Sequence, residues 1–322
     1  MSVVQRVLIA GAGAIGSVLG GFLAKAGHAV TLLGRPSHLA AVAERGLRVE
    51  GLWGEHQVRD VAVAYDRAGL TPPYDAVLVT VKSCDTVPMV AMTSGTLAHD
   101  GCMISMQNGL GNTEHVLAAV GESRAVGARV IFGAEIPRAG VVRVTVFAQP
   151  TVLGAVRPGS ESERHARAWA HRLAAAGIPA EYAPDVHAHL WTKVFYNAAL
   201  NPLSALFGLP YGALAADPDA RAVMDAVIEE AYAVAVARGV TPVVPNARAY
   251  REAFYSKLVP ITAEHRSSML QDLERGRPTE IEEINGCIWR YGEEAGVATP
   301  VNATLTRLIR WRERLAGREA RA

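Results

Sequence analysis

Three polar side chains recur at four-residue spacing in the apolar stretch WTKVFYNAALNPLSALFG, residues 191–208. They are Lys193, Asn197 and Asn201. A step of four residues turns only about 40° around an α-helix, so the three side chains lie along one narrow stripe. Burying them without partners costs roughly 2–7 kcal/mol for each amide and more for the ammonium. The stripe therefore indicates either a solvated helix surface or a polar site that faces a ligand.

An ammonium group in such a stripe is suited to the reduction of a carbonyl group. That reaction delivers hydride to carbon and needs a proton on oxygen. A protonated lysine beside the oxygen stabilises the developing alkoxide and can donate the proton, and burial lowers the pKa of a lysine toward a useful range. This interpretation of Lys193 requires a hydride donor bound elsewhere in the chain. Without one, a surface lysine with capping asparagines is the simpler interpretation.

The sequence GAGAIG, residues 11–16, indicates where a hydride donor binds. In the dinucleotide fingerprint, Gly11 permits a tight turn, Gly13 lets a pyrophosphate approach the backbone and Gly16 allows close packing of the helix. The N-terminus of that helix stabilises the phosphate charge. A lone glycine pattern is weak evidence, but here it lies between a predicted strand and a predicted helix. The predicted cofactor-binding residues are Gly11, Ala12, Gly13, Ala14, Ile15 and Gly16.

Further cofactor contacts are predicted where later strands end. The second strand ends in Arg35, at the position where NAD-preferring sites usually carry Asp or Glu. Arginine pairs well with a 2′-phosphate, so Arg35 favours NADPH over NADH. Lys82 and Asn108 end two later strands at the carboxyl edge, where open parallel sheets bind ligands. The plainer interpretations are a solvated arginine, a solvated lysine and a turn asparagine.

The elements that must position these residues fall into two halves. Short apolar runs predict buried parallel strands in the first half, and β-branched runs between residues 127 and 156 predict a meander or hairpin that extends the same sheet. The predicted parallel strands are residues 7–10, 29–33, 75–82 and 101–108. Beyond Pro184 strand signals vanish and helical periodicity takes over. The predicted helices there are residues 186–207, 218–238, 245–275 and 279–295.

This pattern predicts an α/β fold with two domains. Residues 1–184 form an N-terminal NADP-binding domain of the Rossmann type, and residues 185–322 form an all-α domain that carries substrate and catalytic groups. The active site is expected in the cleft between them. Because Asn201 precedes Pro202, we expect the first helix of the second domain to kink or break there.

Composition favours a small-molecule partner. The 32 basic and 31 acidic residues nearly balance, and no dense basic run is present, which argues against nucleic acid and against an anionic membrane surface. Three cysteines without a C-x-x-C pair suggest neither a disulfide framework nor a metal site and fit a cytoplasmic location. Glycines interrupt the uncharged stretch 7–24, which argues against a membrane span. The apolar helix 218–238 leaves a homodimer open.

Together the motifs resemble the ketopantoate reductase (2-dehydropantoate 2-reductase) family. The resemblance spans nearly the whole chain, and its specific parts are the Lys-x-x-x-Asn pattern and the pair SSMLQD and TEI. The segments in the family's order are GAGAIG, LVTVKS, QNGLGN, WTKVFYNAALNPLSAL and SSMLQDLERGRPTEIEEINGCI. The resemblance implies NADPH-dependent reduction of a 2-oxo acid. The leading expectation is the reduction of 2-dehydropantoate to (R)-pantoate in the route to coenzyme A.

The resemblance also implies a role for each candidate residue. Lys193 is the general acid. The 2-oxo acid is bound by Asn108, Asn197, Asn201 and Ser268. NADPH is contacted by residues 11–16 and by Arg35, Lys82, Asn108 and Glu280. Whether Glu280 also assists catalysis stays open.

Two positions depart from the family's pattern. Some members carry asparagines where Tyr211 and His265 stand here, and both positions lie near the substrate in that family, so both count as candidate substrate-binding residues. The bulkier Tyr211 leaves a paralogous reductase of another branched or bulkier 2-oxo acid as an alternative. An NADPH-responsive regulator without turnover is a third interpretation, against which Lys193 argues, because a sensor needs no proton donor.

Overall fold

The computed structural model describes residues 3–319, with the backbone alone described for residues 317–319. Contacts divide the chain into two compact units, residues 3–107 with 112–186, and residues 108–111 with 187–319. The first unit contains strands and helices. The described residues of the second unit contain helices and loops but no strand. The predicted fold class, an N-terminal α/β domain and a C-terminal helical domain, is confirmed.

The first unit alternates strands and helices along the chain. Its strands are β1 (Arg6–Ala10), β2 (Ala29–Leu33), β3 (Leu47–Gly51), β4 (His56–Val58), β5 (Val61–Ala64), β6 (Tyr74–Val79), β7 (Leu97–Ser105), β8 (Ala125–Arg129), β9 (Phe132–Arg138), β10 (Val141–Phe147), β11 (Thr151–Ala155) and β12 (Ala180–Tyr182). Its helices are α1 (Ala14–Lys25), α2 (Pro36–Arg45), α3 (Thr86–Thr93), α4 (Asn112–Val120) and α5 (Ser162–Ala175).

Eight strands form the main sheet, in the order β12-β11-β8-β7-β6-β1-β2-β5. Pairing is parallel from β8 to β5, and β11 runs antiparallel to β8. Both faces are covered, because Val7 and Ile9 of β1 belong to one apolar cluster while Leu8 and Ala10 belong to another. Burial on both faces explains why these strands read as continuous apolar runs rather than as alternating ones.

A second sheet of four strands, in the order β4-β3-β10-β9, was not predicted. The expectation that residues 127–156 extend the main sheet is right for β8 and β11 and wrong for the β9–β10 hairpin. Strand β10 pairs in parallel with β3, with Val141 opposite Arg48. Phe22 of α1 contacts Trp53 at 5.6 Å between ring centroids, and Trp53 in turn contacts Phe132 of β9 at 4.9 Å. This sheet therefore packs on α1. The pairing of β10 with β3 is long-range, and local sequence patterns do not predict it.

The second unit is a helical bundle. Its helices are α6 (Val186–Phe207), α7 (Tyr211–Ala216), α8 (Pro218–Ala237), α9 (Ala247–Ala253), α10 (Val259–Ile261), α11 (Ser268–Glu274), α12 (Asn285–Ala295) and α13 (Pro300–Glu319). The single helix predicted over residues 245–275 is wrong, since residues 262–267 are not helical. A new helix begins after Ser267, because its hydroxyl accepts the Leu270 N–H at 3.0 Å as an N-cap. The predicted helix 279–295 begins only at Asn285.

Helix α6 continues through Pro202, so the predicted break does not occur. A proline inside a helix leaves the carbonyl four residues earlier without its usual N–H donor. That carbonyl belongs to Ala198, and the side-chain amide of Asn285 donates to it at 3.0 Å. Asn285 therefore supplies the hydrogen bond that Pro202 cannot make, and the helix continues past the proline.

Asn285 belongs to a buried polar network between helices. Its Nδ2 also donates to Asn302 Oδ1 at 3.0 Å, and Asn302 Nδ2 donates to Glu230 Oε2 at 2.7 Å. Glu230 further accepts the backbone N–H groups of Val301 and Asn302, at the start of α13. Asn285 and Asn302 are fully buried. The network thus ties α6, α8, α12 and α13 together through hydrogen bonds, although the buried Asn285 Oδ1 makes none within residues 3–319.

In the part of the chain that the structure describes, no helix combines the length and the hydropathy that a membrane span requires.

We predict that Asn302→Ala destabilises the helical unit. The substitution removes one hydrogen bond from the Asn285 amide and one from the Glu230 carboxylate. A lost hydrogen bond costs about 0.5–1.5 kcal/mol, or about 1.5–3 kcal/mol where one partner is charged. Thermal unfolding should show a melting temperature lower by about 4 °C or more. Thr304→Ala is the matched control, because within the described residues the exposed Thr304 hydroxyl bonds only to Pro300 O of the same helix. Equal melting temperatures for the two variants would contradict the proposed importance of the network.

Candidate active site

The glycine loop between β1 and α1 is held by its own backbone and by a neighbouring strand end. The N–H groups of Gly11 and Ala12 both donate to Leu33 O, at 3.1 and 2.7 Å. Thr80, one residue beyond β6, donates its hydroxyl to Gly11 O at 2.8 Å. Thr80 was not singled out in the sequence, because a threonine after a strand carries no distinguishing signal. The loop is therefore fixed before any ligand arrives.

Each glycine of the fingerprint has a separate physical reason. Gly11 has φ +117°, and a Cβ there would lie 2.6 Å from the backbone nitrogen of Val81. A Cβ on Gly16 would lie 2.3 Å from Gly11 O. Both glycines are thus required by the packing of the unit itself. Gly13 differs, because a Cβ there would meet nothing within 4 Å.

The open space at Gly13 fits the binding of a dinucleotide. Gly13 is the N-cap of α1 and makes no side-chain cap. The first N–H groups of a helix have no intrahelical acceptors and attract an anion. The described residues leave room for a Cβ at this position. A pyrophosphate that approaches the helix N-terminus would need that room, which explains the glycine. The residues present therefore fit the cofactor that the fingerprint implies.

The other candidate cofactor residues of this unit also follow strands. Arg35 is exposed and is the N-cap residue of α2, two residues after β2. Lys82 is half-buried. The predicted strand 75–82 is corrected, because β6 ends at Val79 and Lys82 lies three residues beyond it. Both side chains therefore stand on connections that leave the carboxyl edge of the sheet.

A chain of hydrogen bonds joins three candidate residues of the helical unit. Lys193 Nζ donates to Asn108 Oδ1 at 2.5 Å, and Asn108 Nδ2 donates to Glu280 Oε2 at 3.2 Å. Lys193 is half-buried on α6, and Glu280 is 8% exposed. The Asn108 carboxamide therefore connects an ammonium to a buried carboxylate. Such an array holds a proton donor in place through hydrogen bonds.

Asn108 reaches this array through the segment 108–111. The predicted strand 101–108 is corrected, since β7 ends at Ser105. Gly109 has φ +83°, and a Cβ there would lie 2.5 Å from Glu283 O. The neighbouring Leu110 N–H donates to the same carbonyl at 2.8 Å. Gly109 thus lets the backbone of Glu283 approach closely. This packing alone explains why a glycine follows Asn108, and no ligand is needed to explain it.

Glu283 is a titratable group that sequence reasoning missed. Burial raises the pKa of its carboxyl to about 7, and the nearby carboxylates of Glu280 and Glu282 add to the increase. Its Oε2 atom is buried and makes no hydrogen bond within residues 3–319. In the segment TEIEEING it cannot be distinguished from a surface acid, so only the fold identifies it.

Asn197 and Asn201 lie on α6 with Lys193, as the four-residue spacing predicts. Asn197 is half-buried. Asn201 is buried, and its Oδ1 accepts the hydroxyl of Tyr211 at 2.7 Å. The stripe is therefore a set of largely buried polar groups rather than a solvated helix surface.

Among the remaining candidates, His265 lies beside Tyr211. The Tyr211 ring is 5.2 Å from the ring of His265, between centroids, and the Tyr211 N–H donates to His265 O at 3.1 Å. His265 and Ser268 are exposed, and Ser268 is the first residue of α11. The structure brings Tyr211 together with His265 and Asn201. Lys193, Asn108 and Glu280 form a separate hydrogen-bonded set.

Comparison with known proteins places the chain in a family. Residues 7–158 match the family described as ketopantoate reductase PanE/ApbA, and residues 185–313 match its C-terminal part. The chain belongs to the ketopantoate reductase family. The suspected resemblance is thereby confirmed.

Individual relatives match over their whole lengths. A 2-dehydropantoate 2-reductase of Aquifex aeolicus is 36% identical over 311 residues, which cover 96% of this chain and 97% of the relative. The crystal structure of a PanE/ApbA family ketopantoate reductase from Ralstonia eutropha JMP134 has a TM-score of 0.86 at 35% identity, with 97% of this chain and all of that chain covered. A D-mandelate dehydrogenase in complex with NADH has a TM-score of 0.84 at 25% identity, with 97% and 100% covered.

We predict opposite outcomes for two glycine substitutions in the fingerprint. Gly13→Ala should leave the melting temperature within about 1 °C of wild type, since its Cβ enters open space, and should raise the dissociation constant for NADPH at least about tenfold. Gly16→Ala should lower the melting temperature, because its Cβ collides with Gly11 O. Thermal unfolding and fluorescence titration measure the two effects. Unchanged NADPH affinity in Gly13→Ala would exclude a pyrophosphate at this point.

Proposed function

We propose that this member of the family reduces 2-dehydropantoate to (R)-pantoate with NADPH as hydride donor. The observation that carries the proposal is the ammonium of Lys193 held by Asn108, whose amide is anchored on the buried Glu280 carboxylate. The naming of the Aquifex aeolicus relative as a 2-dehydropantoate 2-reductase supports the choice of substrate.

The residues of the chain divide the work of the reaction. When bound, NADPH supplies the hydride. Lys193 Nζ holds the proton that the keto oxygen takes up and stabilises the negative charge that develops there. Asn108 fixes the position of this ammonium, and Glu280 holds the Asn108 amide by accepting its N–H. A proton donor fixed in this way loses little further conformational entropy when it is oriented in the transition state.

Binding is assigned to the other candidate residues. Asn197, Asn201 and Ser268 bind the 2-oxo acid. NADPH lies against residues 11–16, where the helix N-terminus holds its pyrophosphate, with contacts from Lys82, Asn108 and Glu280. Arg35 pairs with the 2′-phosphate. In this proposal residues 1–184 are the NADP-binding domain, residues 185–322 carry substrate and catalytic groups, and the enzyme works in the cytoplasm.

A second candidate keeps the chemistry and changes the acid. Tyr211 and His265 stand at positions where some members of the family carry asparagines, and their two rings are in contact. Aromatic rings favour an apolar or aromatic substituent on the 2-oxo acid. A D-mandelate dehydrogenase shares this fold, which supports the candidate. We therefore consider a reductase of a branched or bulkier 2-oxo acid as the alternative.

Steady-state kinetics discriminate between the two candidates. We would compare kcat/KM for 2-dehydropantoate with the values for other 2-oxo acids, including phenylglyoxylate. The highest value for 2-dehydropantoate supports the first candidate, and a much higher value for another acid supports the second. Binding of NADPH without turnover of any acid would identify a regulator instead.

Substitution of Lys193 tests the proton donor. Lys193→Ala should lower kcat by about 10²–10⁴-fold, because a positioned general acid contributes a factor of this size. The dissociation constant for NADPH should stay within about twofold of wild type. Lys257→Ala is the control, since Lys257 is an exposed lysine of the same unit. Wild-type turnover in Lys193→Ala would reject the assigned role.

Substitution of Arg35 tests the choice of cofactor. Arg35→Ala should raise the dissociation constant for NADPH about tenfold or more, because the 2′-phosphate loses a charged hydrogen-bond donor. Affinity for NADH, which lacks that phosphate, should change less than about twofold. Arg45→Ala removes an exposed arginine from the other end of α2 and serves as the control. Equal losses for the two dinucleotides would show that Arg35 does not bind the 2′-phosphate.

A further inference from the structure

A buried hydrogen bond connects Tyr211, the first residue of α7, to Asn201 of α6. The Tyr211 hydroxyl donates to Asn201 Oδ1 at 2.7 Å, and each residue is only 3% exposed. Burial raises the pKa of Tyr211 well above its usual value, so the hydroxyl keeps its proton. A neutral tyrosine and a carboxamide therefore face each other where little water enters.

The chemistry of the pair fixes which end of the carboxamide points at Tyr211. Within residues 3–319, Asn201 Oδ1 is the acceptor that the structure gives to the Tyr211 hydroxyl. If the amide were reversed, Nδ2 would donate to the hydroxyl and the proton of Tyr211 would be buried without an acceptor. An unsatisfied buried donor is unfavourable. The oxygen of Asn201 is therefore held toward Tyr211 and its Nδ2 group away from it.

The surroundings of Tyr211 leave its ring little freedom. The Tyr211 N–H donates to His265 O, and the Gly212 N–H donates to Ala263 O at 2.8 Å. A Cβ on Gly212 would lie 2.9 Å from Ala263 Cβ, so glycine permits this close approach. The ring itself contacts Tyr196 at 5.8 Å and His265 at 5.2 Å, between centroids. Tyr211 is thus a rigid support for its hydrogen-bond acceptor.

The orientation determines what Asn201 can offer to a ligand. Its Oδ1 is already engaged by Tyr211, and in the described residues no protein acceptor is recorded for the two N–H donors of Nδ2. Asn201 lies on the same stripe of α6 as Lys193 and Asn197. We infer that Tyr211 is a positioning residue that holds the Asn201 amide with its N–H donors toward a substrate oxygen. This inference rests on the proposed function and extends it to a residue that acts through another.

Removal of the hydroxyl alone tests the inference. Tyr211→Phe keeps the ring and should raise the KM for the 2-oxo acid about tenfold, with kcat and NADPH affinity within about twofold of wild type. Asn201→Ala should raise KM at least as much. In the double variant, Tyr211→Phe should add no further increase, because Tyr211 acts through Asn201. Multiplied effects in the double variant would overturn the inference.

Tyr232→Phe is the matched control for the loss of a buried hydroxyl. Tyr232 is 5% exposed, and its hydroxyl donates to the backbone oxygen of Val244 at 3.2 Å rather than to a residue of the stripe. The control should match Tyr211→Phe in thermal stability and keep the wild-type KM. An equal rise of KM in both variants would indicate general loosening of the bundle and overturn the inference.

Asn201→Asp tests the orientation directly. The variant keeps an acceptor for the Tyr211 hydroxyl but replaces the two N–H donors with a second oxygen. If Nδ2 faces a substrate oxygen, KM at pH 8 should rise about 100-fold or more, because like charges then meet. If Oδ1 faces the substrate instead, the aspartate is tolerated. A KM within about threefold of wild type would overturn the inference.

Binding measurements separate this inference from the proposed function. Isothermal titration of 2-dehydropantoate into the protein loaded with NADP⁺ reports affinity without turnover. Weaker binding to Tyr211→Phe than to wild type supports the inference, even if the wild-type protein fails to oxidise NADPH. Unchanged binding together with normal turnover refutes the inference and keeps the reductase. A wild-type protein that neither binds nor reduces any acid of the panel refutes both.

Discussion

The candidate site depends on two hydrogen bonds that the Asn108 carboxamide makes. It accepts from Lys193 and donates to Glu280, so one neutral side chain fixes the distance between an ammonium and a buried carboxylate. Asn108 keeps this position because Gly109 lets the following backbone approach Glu283. The amide thus links the two groups through one hydrogen bond to each.

The helix that carries Lys193 depends on a second compensation. Pro202 removes an N–H from α6, and the Asn285 side chain donates to the carbonyl of Ala198 in its place. Because α6 therefore continues to Phe207, Asn201 stays in register with Lys193, two steps of four residues away. A break at the proline would have turned Asn201 off the stripe. The buried polar network around Asn302 thus supports the geometry of the site as well as the packing of the helices.

The sequence predicted the elements whose signal is local. Continuous apolar runs located β1, β2, β6 and β7, and the four-residue spacing placed the polar stripe on one helix. The second sheet was missed because β3 pairs with β10, almost a hundred residues later, and nothing in either strand specifies that partner. The role of Asn285 could not be predicted either, because in the sequence an asparagine that donates to a distant backbone carbonyl looks like any other helix residue. The proton-donor array was accessible only in part, because the link from Asn108 to Glu280 spans 172 positions.

The four-residue segment 108–111 packs with the helical unit, although the chain on both sides of it belongs to the α/β unit. The backbone therefore passes between the two units three times instead of once. A continuous piece that holds the whole α/β unit, residues 3–186, also contains residues 108–111 of the helical unit, whereas residues 187–319 alone lack them. Expressing residues 187–322 alone would omit Asn108, and Lys193 would then lose the amide that holds it. The covalent path of the chain therefore prevents a continuous C-terminal segment from holding all residues of the helical unit without also including part of the α/β unit.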